Sequence, residues 1–164
     1  MGAAFCQFSE SRIEEMNTLK GDTNHSVTTL KTSEENQMPA RTPEETHTLF
    51  AQYFSAGDAQ ALMSLYEPEA MMVTQPGVEV KGHTAIRGGV DAFLALKAEF
   101  NLQPARVFQS RDIALLFSKW TLKGTDPSGN AVELAGQTSD VVRRQADGSW
   151  LFVIDNPYGA ASVA

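Results

Sequence analysis

The chain has 164 residues, enough for one domain with a real core and too few for two ordinary ones. It is 42% hydrophobic and 20% charged, and its net charge of -7 disfavours nucleic acid or an anionic membrane surface as the main partner, since both attract basic faces. A single cysteine, Cys6, excludes an intramolecular disulfide.

Residues 1 to 40 are polar and rich in Thr, Ser and Asn, with only a weak helical spacing at Ile13, Met16 and Leu19. Such a segment buries too little apolar surface to offset its ordering entropy, so a mobile polar tail is expected. A translation start at Met38 is the alternative. The opening "MGAAFC" begins like a myristoylation site, but Cys6 stands where Ser or Thr is wanted. The chain shows no basic segment followed by an apolar stretch and no apolar run of membrane-spanning length, so a soluble cytoplasmic protein is the expectation.

"RTPEETHTLFAQYFSAGD" predicts the first helix. Thr42 is a good N-cap, Pro43 suits the first helical position and Glu44 and Glu45 suit the positive end. Leu49, Phe50, Tyr53 and Phe54 fall on one face, and Gly57 ends the helix. Asp58 caps a short second helix, "AQALMSLY", which ends at Pro68, with Tyr66 packing at its end, hydroxyl outward. "AMMVTQPGVEV" predicts a strand and turn, and "GHTAIRGGVDAFLALKAEF" a third helix. The period then changes to two, giving four strands: "ARVFQS", "DIALLFSKWTLKG", "AVELAGQTSDVVRRQ" and "SWLFVIDN". "DPSGN" and "ADGS" have hairpin-turn chemistry. Three helices before mostly antiparallel strands predict an α+β domain with the helices on one face of the sheet.

In "IALLFSKWTLK", Ser118, Trp120 and Leu122 share one face. Lys119, Thr121 and Lys123 share the other with Ile113, Leu115 and Phe117. Both faces are therefore partly apolar. Three helices can cover only one, so the other predicts a partner, most simply a second copy of the chain.

From Gly57 to Ile86, the run Gly-Asp, short helix, Leu-Tyr-x-Pro-x-Ala, strand, Gly-x-x-Ala-Ile resembles the SnoaL-like and ketosteroid-isomerase-like proteins of the nuclear-transport-factor-2-like superfamily, and so does the ending "VVRRQADGSWLFVIDNP". The resemblance covers residues 41 to 158, leaving 159 to 164 as a C-terminal tail. It implies a cone: a strongly curved antiparallel sheet wrapped on three helices around an apolar pocket, with homodimers through the outer sheet face. It also implies that the isomerases' helix-1 tyrosine falls at Phe50, their base at Thr74 and their second acid at Gln137. All three residues differ here. Phe50 cannot donate a hydrogen bond and Thr74 is no base near neutral pH, so the steroid-isomerase mechanism is not expected to transfer.

Phe50, Tyr53, Thr74, Trp120, Gln137 and Asn156 are the expected lining of a neutral pocket for a small apolar ligand. Neither a phosphate-binding glycine loop nor metal-ligand spacing stands in the sequence, so no cofactor and no metal are expected. His47 and His83 read as a surface and a turn histidine, and Asp58 as a cap. Tyr53, Asp140 and Asp155 are the weak catalytic candidates. With a two-residue "DG" turn, Val142 opposes Val153, Val141 opposes Ile154 and Asp140 opposes Asp155; a bulged turn would shift the register by one. The parity of Gln137, Ser139 and Val141, taken as inward, turns both aspartates to the outer face. The functional expectation is small-molecule binding, with isomerase-, cyclase- or hydrolase-like chemistry on an apolar or aromatic substrate. The alternative is a non-catalytic oligomerisation or protein-interaction module.

Overall fold

The protein is described by a computed structural model over residues 38–163. The readings on residues 1–37, including the mobile tail, lie outside the described residues. Helix α1 (Pro43–Ala56) begins where its sequence signals predict, with Glu45 N–H donating to Thr42 Oγ1 at 3.3 Å. Glu45 in turn accepts from the N–H of Arg41, the residue before the cap, at 2.6 Å, which fixes the chain's entry into the helix. It ends at Gly57, whose left-handed φ of 68° suits a residue without Cβ. Helix α2 (Ala59–Met63) is capped by Asp58, which accepts from Ala61 N–H at 2.9 Å. It is shorter than the sequence pattern suggests, because Tyr66 already opens strand β1 (Tyr66–Gln75).

Strand β2 (Val78–Lys81) pairs with β1, and helix α3 (His83–Leu94) follows. Gly89 lets this helix close on β1: a Cβ there would lie 3.2 Å from Thr74 Cγ2 and 3.3 Å from Met72 Sδ. Of residues 95–100, expected in the third helix, Glu99 and Phe100 open strand β3 (Glu99–Ser110) instead, which pairs with β4 (Ile113–Thr125). The strand expected from Ala131 to Gln145 is two, β5 (Ala131–Gln137) and β6 (Asp140–Arg144), both paired with β4, and β7 (Trp150–Asp155) closes the set.

The seven strands form one curled, unclosed sheet in the order β2-β1-β7-β6-β4-β3, with β5 also on β4. The β1–β7 pair is parallel and the others are antiparallel, so the domain is α+β as expected. Pro104 sits on the edge strand β3 beside a bulge, where a missing N–H is tolerated.

On β4, Ala114, Leu116, Ser118, Trp120 and Leu122 are buried, so the inner face is the one the sequence assigns to Trp120. The helices lie on this face. Leu62, Ile86, Val90 and Phe152 join the same core, each contributing roughly 1.5–3 kcal/mol by burial. On the outer face Ile113, Leu115 and Phe117 are only half-buried, and Phe108 is 54% exposed. The segment expected as a C-terminal tail begins with a 3₁₀ turn, Gly159–Val163, anchored by Gly77 N–H donating to the Ser162 carbonyl at 3.2 Å. Ala40, at the end of the expected N-terminal tail, is buried and accepts from Trp150 N–H at 2.9 Å. No helix among the described residues is long and apolar enough to cross a membrane.

Candidate functional site

Between the helices and the inner sheet face lies a pocket of about 630 Å³, mouth included. Its walls are aromatic and aliphatic. Phe50 and Phe54 come from α1, Phe93 from α3, Phe100 from β3, Trp120 from β4 and Phe152 from β7. Its polar end is made by His47, Thr138, Asp140 and Asp155.

The two aspartates correct the expected orientation. Asp140 is 1% exposed and Asp155 6%, and both line the pocket. The reason is the parity of β6, where Asp140 pairs with inner-face Leu116, together with an irregularity in β7. The "ADGS" hairpin turns through three residues, Ala146 to Gly148, with Gln145 N–H donating to the Ser149 carbonyl at 2.7 Å and Gly148 at φ 83°. That slips the pairing by one, so Val142 opposes Phe152 rather than Val153. A second irregularity in β7 undoes the slip, and Val141 again opposes Ile154. The restored register brings Asp155 inward together with Trp150 and Phe152, beside an inward Asp140. The expected neutral pocket is thus replaced by one with two carboxylates at its polar end.

Gln137 is corrected by the same geometry. It pairs with Lys119, on the outer face of β4, while Asp140 pairs with Leu116 on the inner face. Gln137 faces a separate open groove with Lys119 and Tyr158. Among the other expected lining residues, the structure brings Phe50 and Trp120 to the pocket and leaves three outside it. Tyr53 donates to the Met38 carbonyl at 3.1 Å, and Thr74 to the Val78 carbonyl at 3.3 Å. The Asn156 amide donates to Ser139 Oγ and the Gly159 carbonyl, both at 3.2 Å, fixing the turn after β7.

His47 is not a surface residue. It is 4% exposed, and its Nε2–H donates to Asp140 Oδ2 at 2.7 Å. With that tautomer, the Ser118 hydroxyl donates to Nδ1 at 2.8 Å, which fixes the ring from both sides. The other Asp140 oxygen accepts from Asn156 N–H at 2.8 Å. Tyr66, expected with its hydroxyl outward, is fully buried and donates to Asp155 Oδ2 from behind the pocket wall. His83 opens α3 rather than sitting in a turn, and donates to the Tyr66 carbonyl at 3.0 Å. Among the described residues Asp155 Oδ1 has no partner and is not sealed off, so it is the carboxylate oxygen left to the pocket.

Burial pushes the Asp155 carboxyl up to about 7, the charge of Asp140 adds to the rise, and the Tyr66 hydrogen bond opposes it. Burial, followed by the neighbouring Asp155 charge, raises the Tyr66 phenol well above its ordinary range. A carboxyl poised near neutrality can both accept and return a proton. The sequence hid the buried places of His47 and Tyr66 because each is bonded to a partner about ninety residues away: Asp140 for one, Asp155 for the other.

The SnoaL-like domain family matches residues 47–153. The fold is similar to that of a ketosteroid isomerase-like protein from Erwinia carotovora atroseptica, with 19% identity and a TM-score of 0.62 over 68% of this chain and 88% of the other. A conserved protein from Planctomyces limnophilus gives 19% identity and a TM-score of 0.60 over 68% and 88%. A nuclear-transport-factor-2-like protein with a cystatin-like fold from Novosphingobium aromaticivorans gives 25% identity and a TM-score of 0.55 over 68% and 77%. No curated protein matches the chain.

Proposed function

The chain belongs to the SnoaL-like domain family, and we propose that it binds a small, ring-containing apolar molecule in the cone pocket and moves a proton on it through Asp155. The observation that carries this reading is the pair of buried carboxylates at the end of an otherwise apolar pocket. A pocket that served only as a core would have no use for them: two like charges buried side by side cost stability. Such an arrangement is retained where it sets the proton affinity of one partner.

In the chemistry this supports, Asp155 Oδ1 takes a proton from an acidic C–H of the ligand and returns it to a second position, giving an isomerisation without net change of protons. Tyr66 orients Asp155 without touching the ligand. Burial raises the proton affinity of Asp155 most, and Asp140, held by His47 and the Asn156 N–H, adds to it. The apolar walls exclude water from the reacting position.

Two measurements test the proposal. Some ring-containing compound in a panel raises the melting temperature, and its exchangeable C–H protons wash out in deuterium oxide only when the protein is present. Asp155→Asn loses the exchange even at ligand concentrations that fill its pocket, as judged by its own thermal shift. A panel with no shifting compound overturns the binding reading, and unchanged exchange in Asp155→Asn removes Asp155 from the chemistry.

The proposal includes a second copy of the chain on the outer sheet face, where Phe108 is exposed beside half-buried Phe117 and Leu115. A monomeric mass by light scattering at micromolar concentration would count against it.

A further inference from the structure

The polar end of the pocket is asymmetric in its hydrogen bonds. Asp140 has an N–H donor on each oxygen, one from His47 and one from the Asn156 backbone. Asp155 has one donor, Tyr66, on Oδ2, and Oδ1 is left to the pocket although the residue is 6% exposed. A carboxylate oxygen that opens into an apolar pocket without a donor asks for one from the ligand. Around it the walls carry six aromatic rings, and the lining contains no lysine or arginine.

We propose that the ligand is a lipophilic organic cation, a ring-bearing protonated amine whose ammonium group donates to Asp155 Oδ1 while its rings lie against the aromatic walls. This rests on the reading of the pocket as a ligand site and not on the proton transfer, because an Asp155 Oδ1 that holds an ammonium is a weaker base. Three features support it together. An ammonium supplies the missing donor and neutralises one of two neighbouring carboxylates. Phe and Trp faces attract cations as well as apolar rings. A net charge of -7 favours the approach of cations and opposes that of anions. A carboxylate-bearing ligand would meet two buried acids, and the lining imidazole, His47, is already held by Asp140 and Ser118.

The cation also changes the proton balance. The titratable groups facing Asp155 are Tyr66 from β1, Asp140 from β6 and, through Asp140, His47 from α1. A positive charge at Oδ1 opposes the effect of Asp140 and returns Asp155 toward the ordinary carboxylate range. Amine binding below about pH 7 therefore releases a proton, and affinity falls as the pH drops from 7 toward 5.

The test is calorimetric titration of the whole protein with three probes of one ring size: 2-naphthylmethylamine, 2-naphthylmethanol and 2-naphthoate. The expected result at pH 8 is amine binding about tenfold or more tighter than the alcohol, with the carboxylate weakest. At pH 6 the heat of amine binding should change with buffer ionisation enthalpy, reporting a released proton. Asp155→Asn should remove the advantage of the amine over the alcohol. An alcohol that binds wild type as tightly as the amine overturns the cation and leaves the pocket reading standing. Absence of binding by all three overturns both. The comparison of probes on wild type stands even if the variant does not fold.

Discussion

The Tyr66 hydroxyl donates to the Asp155 carboxylate inside the protein, and this bond is the only side-chain partner Asp155 has among the described residues. It ties the first residue of β1 to the last residue of β7, a strand it pairs with in parallel. Replacing Tyr66 by Phe keeps the ring in its place against Phe152 and removes only the donor. The expected cost is about 1–3 kcal/mol, the range for leaving a buried acceptor unsatisfied. Because the Tyr66 bond lowers the Asp155 pKa, its loss should move the Asp155 titration upward from about 7. Carboxyl-detected NMR of labelled aspartate would show the midpoint; a midpoint that stays or falls contradicts the assignment.

The raised Asp155 pKa also sets a pH dependence of stability. Its value is about 7 in the folded chain against 3.8 for the ordinary group, so between these values the folded state holds the proton more firmly than the unfolded one. Stability from this group therefore declines as the pH rises from about 4 to about 7 and is flat above. Asp155→Asn removes the titration while keeping an acceptor for Tyr66. At pH 8 it should melt higher than wild type, by about 1.4 kcal/mol for each pH unit that separates the folded and unfolded titration midpoints. The gap should narrow as the pH falls toward 5. Melting curves across pH 5 to 8 decide it: a gap that does not depend on pH sinks the prediction.

The Asp140–His47–Ser118 chain predicts a graded response. Removing His47 as alanine leaves Asp140 with one donor in a buried setting and opens a void beside Phe152. Loss of one partner of a buried pair costs about 3–5 kcal/mol. Ser118→Ala removes one hydrogen bond to the ring and should cost about 1 kcal/mol. Urea denaturation gives both values, and equal losses in the two variants would deny His47 its part in holding Asp140.

How far the sequence could carry the site is visible in two residues. Trp120 was legible: the two-residue alternation of β4 placed it inside with Ser118 and Leu116, and the fold agrees. Asp155 was not, because the slip in the turn and the irregularity in β7 cancel: the simple pairing with Asp140's end of β6 returns, but strict alternation from Trp150 and Phe152 is broken. Asp140 could have been placed by continuing the β4 pairing: Trp120 inward puts Gly136 inward and, in unbroken register, Thr138 and Asp140 with it. Carrying over Gln137 from the family resemblance set the opposite parity. The three helices, their caps and the α+β class were legible because each rests on local signals: Thr42, Gly57 and Asp58 stand where helix ends require them.

Thr46, next to His47, is wholly buried, and its Oγ1 is the one buried side-chain polar atom without a partner among the described residues. Thr46→Val replaces that hydroxyl by a methyl of similar volume at nearly equal helix propensity. A gain of about 1 kcal/mol is expected, from relief of an unsatisfied group. A loss of stability in urea denaturation would mean that the hydroxyl has a partner in solution, such as a bound water.

Gly136 and Trp120 make the last prediction. The two residues pair across β5 and β4, and the indole lies over the glycine, with Nε1–H donating to the Pro157 carbonyl at 2.7 Å. A Cβ at 136 would stand 2.7 Å from Trp120 Nε1 and 2.9 Å from the Pro157 oxygen, closer than packed atoms tolerate. Gly136→Ala must therefore push the indole off its acceptor and into the pocket, whose wall it forms. The expected destabilisation is about 1–3 kcal/mol, as for other overpacked sites. Tryptophan emission should change with the lost hydrogen bond, and pocket ligands should bind more weakly. Trp120→Phe in the same chain restores space at position 136 and should recover part of the stability. A double variant no more stable than Gly136→Ala alone would show that the strain falls on the backbone at Pro157 and not on the indole.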